Sequence, residues 1–370
     1  MKFYLIAGER SGDLHGGNLI RQLKHQAPDS HFRGFGGDYM RDAGMEEVVH
    51  YRELAFMGFA EVIANLSTIS KKIKQCKADI LQYRPDVIVL IDYAGFNMRI
   101  ARFAKQNNIK VFWYISPKVW AWNQNRAWKL KANVDKMFVI LPFEKQFFKK
   151  FDWSVDYVGN PVLDAVKAHV KNNDFISQNN LNPQKPVVAL LPGSRKQELK
   201  TIIPLMAEVA AQFPNIQFVV AAVTNLDQSM YAALKKHANI KFVTDAAYDL
   251  LSNADAAIVT SGTATLETSL FRVPQIVVYK TSAITYWIGR MIIKVPYISL
   301  VNLIADKEVV KELIQEDASA EKVSHELSQI LENQNYRNKM LNDYDSIIRM
   351  LDTGSASENT ARLMLQYGKG

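Results

Sequence analysis

Short, continuous apolar runs recur along this chain, each ending in a polar loop and followed by a helical pattern. They restrict its folding more than any other feature. Phe3–Ala7, Asp86–Ile91, Lys110–Ile115 and Lys136–Ile140 form one series, with a shorter run at His31–Gly34. Val187–Leu191, Gln217–Ala221, Ile240–Val243, Ala256–Val259 and Gln275–Tyr279 form a second. A run such as "VIVLI" does not alternate between apolar and polar residues, as expected of a strand buried on both faces of a parallel sheet. Helical periodicity lies between the runs, at about Gly16–Gln26, Met98–Gln106 and Glu198–Gln212. Strand–helix–strand alternation argues for doubly wound α/β sheets.

The series breaks in the polar stretch Lys171–Lys185, and 370 residues exceed the usual size of one domain. The expected architecture is two Rossmann-like doubly wound domains facing a cleft, over residues 1–164 and 165–354. A last helix, Ser357–Tyr367, follows the Gly354-Ser355 break. The segment of about 355–370 is expected to pack back on the first domain or on a partner subunit. Open α/β sheets bind ligands at the carboxyl ends of their strands, so the loops after strands should hold the chemistry.

Composition narrows the compartment. The single Cys76 cannot form an intrachain disulfide, which favours a reducing cytoplasm and excludes a cysteine zinc cluster. No leader-like segment precedes the first run, and no stretch reaches the ~20 apolar residues of a membrane span. The most apolar candidate, around 284–304, is interrupted by Arg290, Lys294 and Pro296. A soluble or peripheral protein is expected. The seven histidines are scattered with no ligand spacing, so no metal site is expected.

Charge is unevenly placed. Residues 99–136 hold nine Lys/Arg and one acid, so this segment carries the chain's whole net charge of +8. Four of the six tryptophans, Trp113, Trp120, Trp122 and Trp128, lie there too. Such a band fits nucleic acid, an anionic membrane surface or a phosphorylated substrate. It equally fits a solvated helix face over core tryptophans.

Five constellations bear on chemistry. In "LLPGSRKQEL" a strand ends in a turn at Gly193-Ser194 and presents Arg195 before a helix. The amides and dipole at a helix start favour an anion, and an arginine can chelate phosphate oxygens. An ordinary capped turn would look similar. "TSGTATLETSL" repeats the pattern with Ser261, Gly262 and Thr263, and Glu267 is placed one turn on to accept from a ribose diol. Two such turns in one domain point to a nucleotide diphosphate. Asp92, at the end of "DVIVLID", is either a partly desolvated general base or a helix-capping aspartate. In "SPKVWAW", Trp120 and Trp122 either pack the core or wall a sugar or acyl site. Residues 54–70 carry Phe56, Met57, Phe59, Val62 and Ile63 ahead of four lysines, either as an interfacial membrane helix or as a helix covering the sheet. The glycine-rich "AGERSGDLHGG" after the first strand fits no phosphate-loop pattern, and Glu9 and Asp13 would repel a phosphate.

Taken in order, "AGERSGD", "MGFAEV", "PDVIVLID", "SPKVWAW", "LPFEK", "LLPGSR", "SGTATLE" and "SLVNLI" resemble the lipid-A-disaccharide synthase family over nearly the whole chain. The resemblance implies a GT-B-type inverting glycosyltransferase acting without a metal or other cofactor. It implies UDP-2,3-diacylglucosamine as donor, lipid X as acceptor, and a β-1,6 disaccharide and UDP as products. It also implies an acceptor and membrane-side first domain, a donor-binding second domain, and peripheral attachment to the inner face of the cytoplasmic membrane. Nucleic acid is not an expected partner; a homodimer is compatible. Asp92 and Arg195 match the family's essential acid and diphosphate-binding arginine, and Glu9 and Asn302 match further motif positions. Glu9 is assigned to the catalytic side and Asn302 to the donor side. Ala94-Gly95 replace the proline and second acid frequent after the first acid, leaving Asp92 alone there. Arg10 stands where a small residue is frequent, Val301 where proline is usual, and Asn160 where histidine is common. The other readings compatible with the residues are a UDP-GlcNAc 2-epimerase or another UDP-sugar enzyme of this architecture, and an RNA-binding protein using the basic aromatic band.

Overall fold

The computed structural model describes residues 1–54, 66–224 and 226–369. Within them the chain divides into two compact units, Met1–Pro161 with Asp352–Gly370, and Val162–Leu351. Each unit is built on one parallel sheet. The first contains β1 (Lys2–Ala7), β2 (His31–Gly36), β3 (Glu46–His50), β4 (Val87–Ile91), β5 (Lys110–Tyr114), β6 (Lys136–Val139) and β7 (Asp156–Tyr157), in the order β3-β2-β1-β4-β5-β6-β7. The second contains β8 (Val187–Leu191), β9 (Gln217–Ala222), β10 (Ile240–Thr244), β11 (Ala256–Thr260), β12 (Gln275–Tyr279) and β13 (Lys311–Ile314), in the order β10-β9-β8-β11-β12-β13. Both orders reverse beside the unit's first strand, which is the doubly wound pattern. β4, β8 and β11 are buried along their whole length. Each large aliphatic side chain there contributes roughly 1.5–3 kcal/mol by leaving water.

The reversal in the first unit lies between β1 and β4, paired in register from Phe3 with Val87 to Ala7 with Ile91. In the second unit β8 and β11 pair from Val188 with Ala256 to Leu191 with Val259. The chain leaving each of these four strands is one of the motif loops.

Most of "AGERSGDLHGG" is helix. The helix Arg10–Gln26 starts six residues before its apolar periodicity becomes visible. Its glycines make room for neighbours: a Cβ at Gly16 would lie 2.7 Å from the Met40 sulfur, and one at Gly17 2.6 Å from the Tyr39 carbonyl oxygen. Asp13 is fully buried on the same helix. Its carboxylate accepts from the amides of Gly37 (2.8 Å), Met40 (3.0 Å) and Tyr39 (3.1 Å), satisfying the start of the short helix Asp38–Asp42.

After leaving the second unit the chain completes the first. The helix Ala356–Gly368, capped by Ser355, buries Ala361, Met364 and Leu365 in the core formed by Phe3, Leu5, Phe112 and Phe138. Lys110 Nζ donates to the Tyr367 carbonyl at 2.9 Å, a cation at a helix C-terminus, and Lys136 lies over the Tyr367 ring. Asn359 Nδ2 donates to the carbonyls of Val158 (3.2 Å) and Thr353 (3.0 Å), tying together the two segments by which the chain leaves and re-enters this unit. Gly159, at φ +94, allows their close approach, since a Cβ there would meet Thr353 Oγ1 at 2.5 Å.

Candidate active site

In the first unit the site grows from the β1–β4 pair. Because Ala7 faces Ile91, Gly8 and Asp92 leave the sheet side by side. Asp92 and Tyr93 both take left-handed backbone conformations, with φ of 43° and 46°, which non-glycine residues seldom adopt. Fixed partners hold this turn. The Asp92 amide donates to the Tyr114 carbonyl (3.2 Å), and buried Asn97 donates from Nδ2 to the Asp92 carbonyl (2.8 Å). Tyr93 OH donates to the Leu54 carbonyl at 2.7 Å. Gly8 answers to Tyr93, because a Cβ at Gly8 would lie 2.3 Å from the tyrosine ring. Strain of this kind, over-determined by its surroundings, is characteristic of functional turns.

Two charged residues influence Asp92 electrostatically. Burial, reinforced by the negative charge of Glu9, pushes the Asp92 carboxyl up to about 6, and the positive field of Lys118 partly opposes this. Glu9 is exposed at the start of the helix Arg10–Gln26. Lys118 is exposed in the loop after β5 and has no ion-pair partner among the described residues. A carboxylate that binds its proton near neutrality is suited to accept one from a hydroxyl and later release it. Lys118 belongs to a motif legible in the sequence, and the β4–β5 register, with Ile91 against Tyr114, sets its loop leaving the sheet beside Asp92.

In the second unit the two turns leave the adjacent strands β8 and β11. Gly193 has φ +103, and a Cβ there would lie 2.3 Å from Glu198 Oε2. Glu198 folds back onto the turn, its Oε2 accepting from the amides of Ser194 (3.0 Å) and Arg195 (3.2 Å). Two amides suited to a phosphate are therefore occupied by an internal carboxylate, in the manner of a capping box. The available donor is the Arg195 guanidinium, 69% exposed and held only by a 3.4 Å contact with Glu198.

At the second turn Gly262 and Thr263 are exposed, and a Cβ on Gly262 would meet nothing nearer than 3.9 Å, so the start of the helix Thr263–Leu270 is open. Ser261 Oγ donates to the Ile298 carbonyl at 3.0 Å, joining this turn to "SLVNLI". Glu267 is mostly buried beside the open turn, and burial raises its carboxyl. Tyr248 OH donates to its Oε1 at 3.1 Å.

Asn302 stands apart from these residues. It is fully buried, with Nδ2 donating to the Val310 carbonyl and Glu312 Oε1 (both 2.9 Å). Its Oδ1 accepts from the amides of Val309 (2.8 Å) and Val310 (3.0 Å). All four hydrogen-bonding positions of the amide are filled. Asn302 thus shapes "SLVNLI", the segment that the Ser261 turn touches. Glu312 completes the lock by accepting from the Ile298 and Ser299 amides, each at 2.9 Å.

The basic band divides by burial. Trp113 and Trp120 are core residues, whereas Trp122 (42% exposed) and Trp128 (50%) reach the surface under Arg126 and Lys131. Lys105 pairs with Asp135. The apolar residues Phe56, Met57, Phe59, Val62 and Ile63 lie outside the described residues. Among the described residues no helix is long and apolar enough to cross a membrane, and no group of three His, Cys, Asp or Glu is arranged to hold a metal ion.

Solved structures share this fold. UDP-GlcNAc 2-epimerase from Neisseria meningitidis, bound to UDP-GlcNAc, matches with a TM-score of 0.69 at 15% identity, over 99% of both chains. The glycotransferase of kitacinnamycin matches with a TM-score of 0.66 at 12% identity, over 99% of this chain and 98% of the other. The fold is of the GT-B type, that of nucleotide-sugar glycosyltransferases and their epimerase relatives. Sequence likeness is more specific. The model of the lipid-A-disaccharide synthetase family matches residues 3–365. The lipid-A-disaccharide synthase of Geobacter sulfurreducens is 37% identical over 99% of this chain and 97% of its own. That of Coxiella burnetii (strain Dugway 5J108-111) is 36% identical over 97% of this chain and 96% of its own. The chain belongs to the lipid-A-disaccharide synthase family and is, with it, a glycosyltransferase of lipid A biosynthesis.

The raised proton affinity of Asp92 has a sign that stability measurements can read. From about pH 4 to 6 the unfolded chain has released this proton while the folded protein keeps it, so the group lowers folding stability as pH rises across that window. Asp92→Asn is expected to stabilise the protein at pH 8 by on the order of 2 kcal/mol and to have little effect at pH 4. Urea denaturation at the two pH values checks this. Equal effects at both, or destabilisation at pH 8, would contradict it.

Proposed function

We propose that this glycosyltransferase joins UDP-2,3-diacylglucosamine to 2,3-diacylglucosamine 1-phosphate (lipid X), giving the β-1,6 disaccharide and UDP. The observation that carries the proposal is Asp92, held in a strained turn at the β1–β4 switch point with its carboxyl pushed up to about 6. In the proposed step the acceptor's 6-hydroxyl oxygen attacks the anomeric carbon of the donor from the face opposite UDP. The bond from that carbon to the diphosphate oxygen breaks, UDP leaves with the electron pair, and the hydroxyl proton passes to Asp92. Configuration inverts. Glu9 holds sugar hydroxyls and, by its charge, keeps Asp92 basic.

Negative charge grows on the diphosphate as the bond breaks, so a donor aimed there stabilises the transition state more than the ground state. Arg195 is that donor, and its exposed, weakly held guanidinium supports the assignment. The open turn Ser261–Thr263 receives the diphosphate beside it. Glu267, oriented by Tyr248, accepts from the ribose hydroxyls. Gly193 and Ser194 form the backbone that presents Arg195.

Both substrates carry acyl chains, which puts the reaction at a membrane surface. The apolar stretch holding Phe56, Met57, Phe59, Val62 and Ile63, followed by Lys71, Lys72, Lys74 and Lys77, supports attachment to the inner face of the cytoplasmic membrane. The epimerase reading rests on likeness of fold.

Incubation with UDP-2,3-diacylglucosamine and lipid X, followed by mass spectrometry, should yield the tetraacyl disaccharide phosphate and UDP. Release of UDP or epimerisation with unacylated UDP-GlcNAc, and no disaccharide, would contradict the proposal. Arg195→Ala should lower kcat/KM for the UDP-sugar by ~10²–10³, and unchanged kinetics would remove Arg195 from the site. On vesicles containing anionic phospholipid the protein should co-sediment, and Phe56→Ser/Phe59→Ser should weaken this. Sedimentation indifferent to both salt and that double change would exclude the interfacial role.

A further inference from the structure

A carboxylate away from the reacting centre is fully buried yet has no cationic partner among the described residues. Glu144 is 1% exposed. Its Oε1 accepts from Ser116 Oγ (2.8 Å) and Trp120 Nε1 (3.2 Å), and its Oε2 from the amides of Leu141 (2.9 Å) and Ile140 (3.2 Å). One oxygen thus holds the loop after β5, and the other holds the chain leaving β6. Three of the four neighbours, the Trp120 indole and the two amides, can only donate, while the Ser116 hydroxyl, which also lies 3.1 Å from the Pro117 carbonyl, can do either. A glutamine would turn its NH2 group toward at least one obligate donor, so this pocket suits a carboxyl better than an isosteric amide. Burying a carboxylate with no cationic partner is costly, and burial pushes the Glu144 carboxyl up to about 7 against the pull of the groups that donate to it.

The loop it holds needs restraint. Ile115 has φ 65°, a genuine outlier for a β-branched residue. Three residues later comes Lys118, on the loop that leaves β5 beside Asp92, since the β4–β5 register sets Ile91 against Tyr114 and the Asp92 amide donates to the Tyr114 carbonyl. Between Ile115 and Lys118 lie Ser116, held by Glu144, and Pro117, whose carbonyl accepts from the Val119 amide. Beyond Lys118, Trp120 is held by Glu144 through its indole and packs edge-on against Phe143 at 4.9 Å. Lys118 is therefore flanked on both sides by side chains tied to the same oxygen.

We propose that Glu144 is a positioning residue of the transferase reaction, fixing the Ser116–Trp122 loop so that the Lys118 ammonium stays beside Asp92. The inference rests on the reading of Asp92 as the base. Glu144 touches no substrate. Its effect passes through Lys118, whose charge favours the ionised form of Asp92 and so sets the pH at which the enzyme becomes active.

The test is the pH dependence of kcat/KM with UDP-2,3-diacylglucosamine and lipid X, for the full-length wild type, Glu144→Gln, Ser116→Ala, Lys118→Met and the double variant Glu144→Gln/Lys118→Met. Activity rises with pH as Asp92 ionises, and the Glu144 carboxyl, pushed up to about 7 by burial, titrates in the same range wherever Glu144 is retained. Losing the ammonium, or its placement, should move the midpoint of that rise upward by about 0.5 in pH, modest because Lys118 is exposed to solvent. Glu144→Gln should reproduce the Lys118→Met displacement, Ser116→Ala should give part of it, and the double variant should go no further than Lys118→Met. The milder Ser116→Ala removes one donor and keeps the test open if Glu144→Gln folds poorly. Activity reduced by one factor at every pH with the midpoint unmoved would overturn the proposal, as would displacements that add in full in the double variant. Failure of the underlying reading looks different. The wild-type rise would then persist in Asp92→Asn, and the proposal would fall with it.

Discussion

The parallel pairing of β1 with β4 is the constraint on which the first unit depends. It sets Ala7 against Ile91, so the two chains leave the sheet together and the Asp92 turn forms against Gly8. Tyr93 fills the space that a side chain at position 8 would take, and its hydroxyl reaches Leu54. Asn97 then fixes the Asp92 carbonyl from the following helix. A left-handed pair of non-glycine residues is tolerated because these contacts leave it no alternative. Burial of the carboxyl near Glu9 follows from the same geometry, and with it the proton affinity that suits a base. Strand register thus sets where the proposed base stands.

The second unit uses the equivalent position, beside β8 and β11, for a different purpose. Carboxylates there hold the frame: Glu198 closes the Gly193–Arg195 turn, and Glu312 with Asn302 pins the segment that Ser261 touches. Each satisfies backbone amides that would otherwise lie unpaired at a chain reversal. The Arg195 guanidinium and the open start of the helix Thr263–Leu270 stay exposed, and these are the groups the proposed reading gives to a diphosphate.

Much of this was legible in the sequence because buried parallel strands are unbroken apolar runs. The strands that went unread, β3, β7 and β13, are all sheet edges. They are short or only partly buried, so "EEVVH" and "KELI" show no apolar run. The helix at Arg10 was obscured by glycines that serve packing against Met40 and Tyr39, contacts invisible in one dimension. Asp92, Arg195 and Glu267 stand out as candidates because each follows a readable strand. Glu144 does not, since its hydrogen bonds to Ser116 and Trp120 reach more than twenty positions back along the chain and only the fold reveals them. For Asn302 the motif is legible in the sequence, whereas the four internal hydrogen bonds by which it shapes that motif are not.

The central claim is that Asp92 takes the acceptor's proton while the donor leaves. Single-turnover kinetics of Asp92→Asn with saturating UDP-2,3-diacylglucosamine and lipid X, alongside calorimetric binding of UDP, test it most directly. The chemical step should slow by ~10²–10⁴ while UDP binds as in the wild type. A folded Asp92→Asn protein that turns over at a near-normal rate would contradict the account.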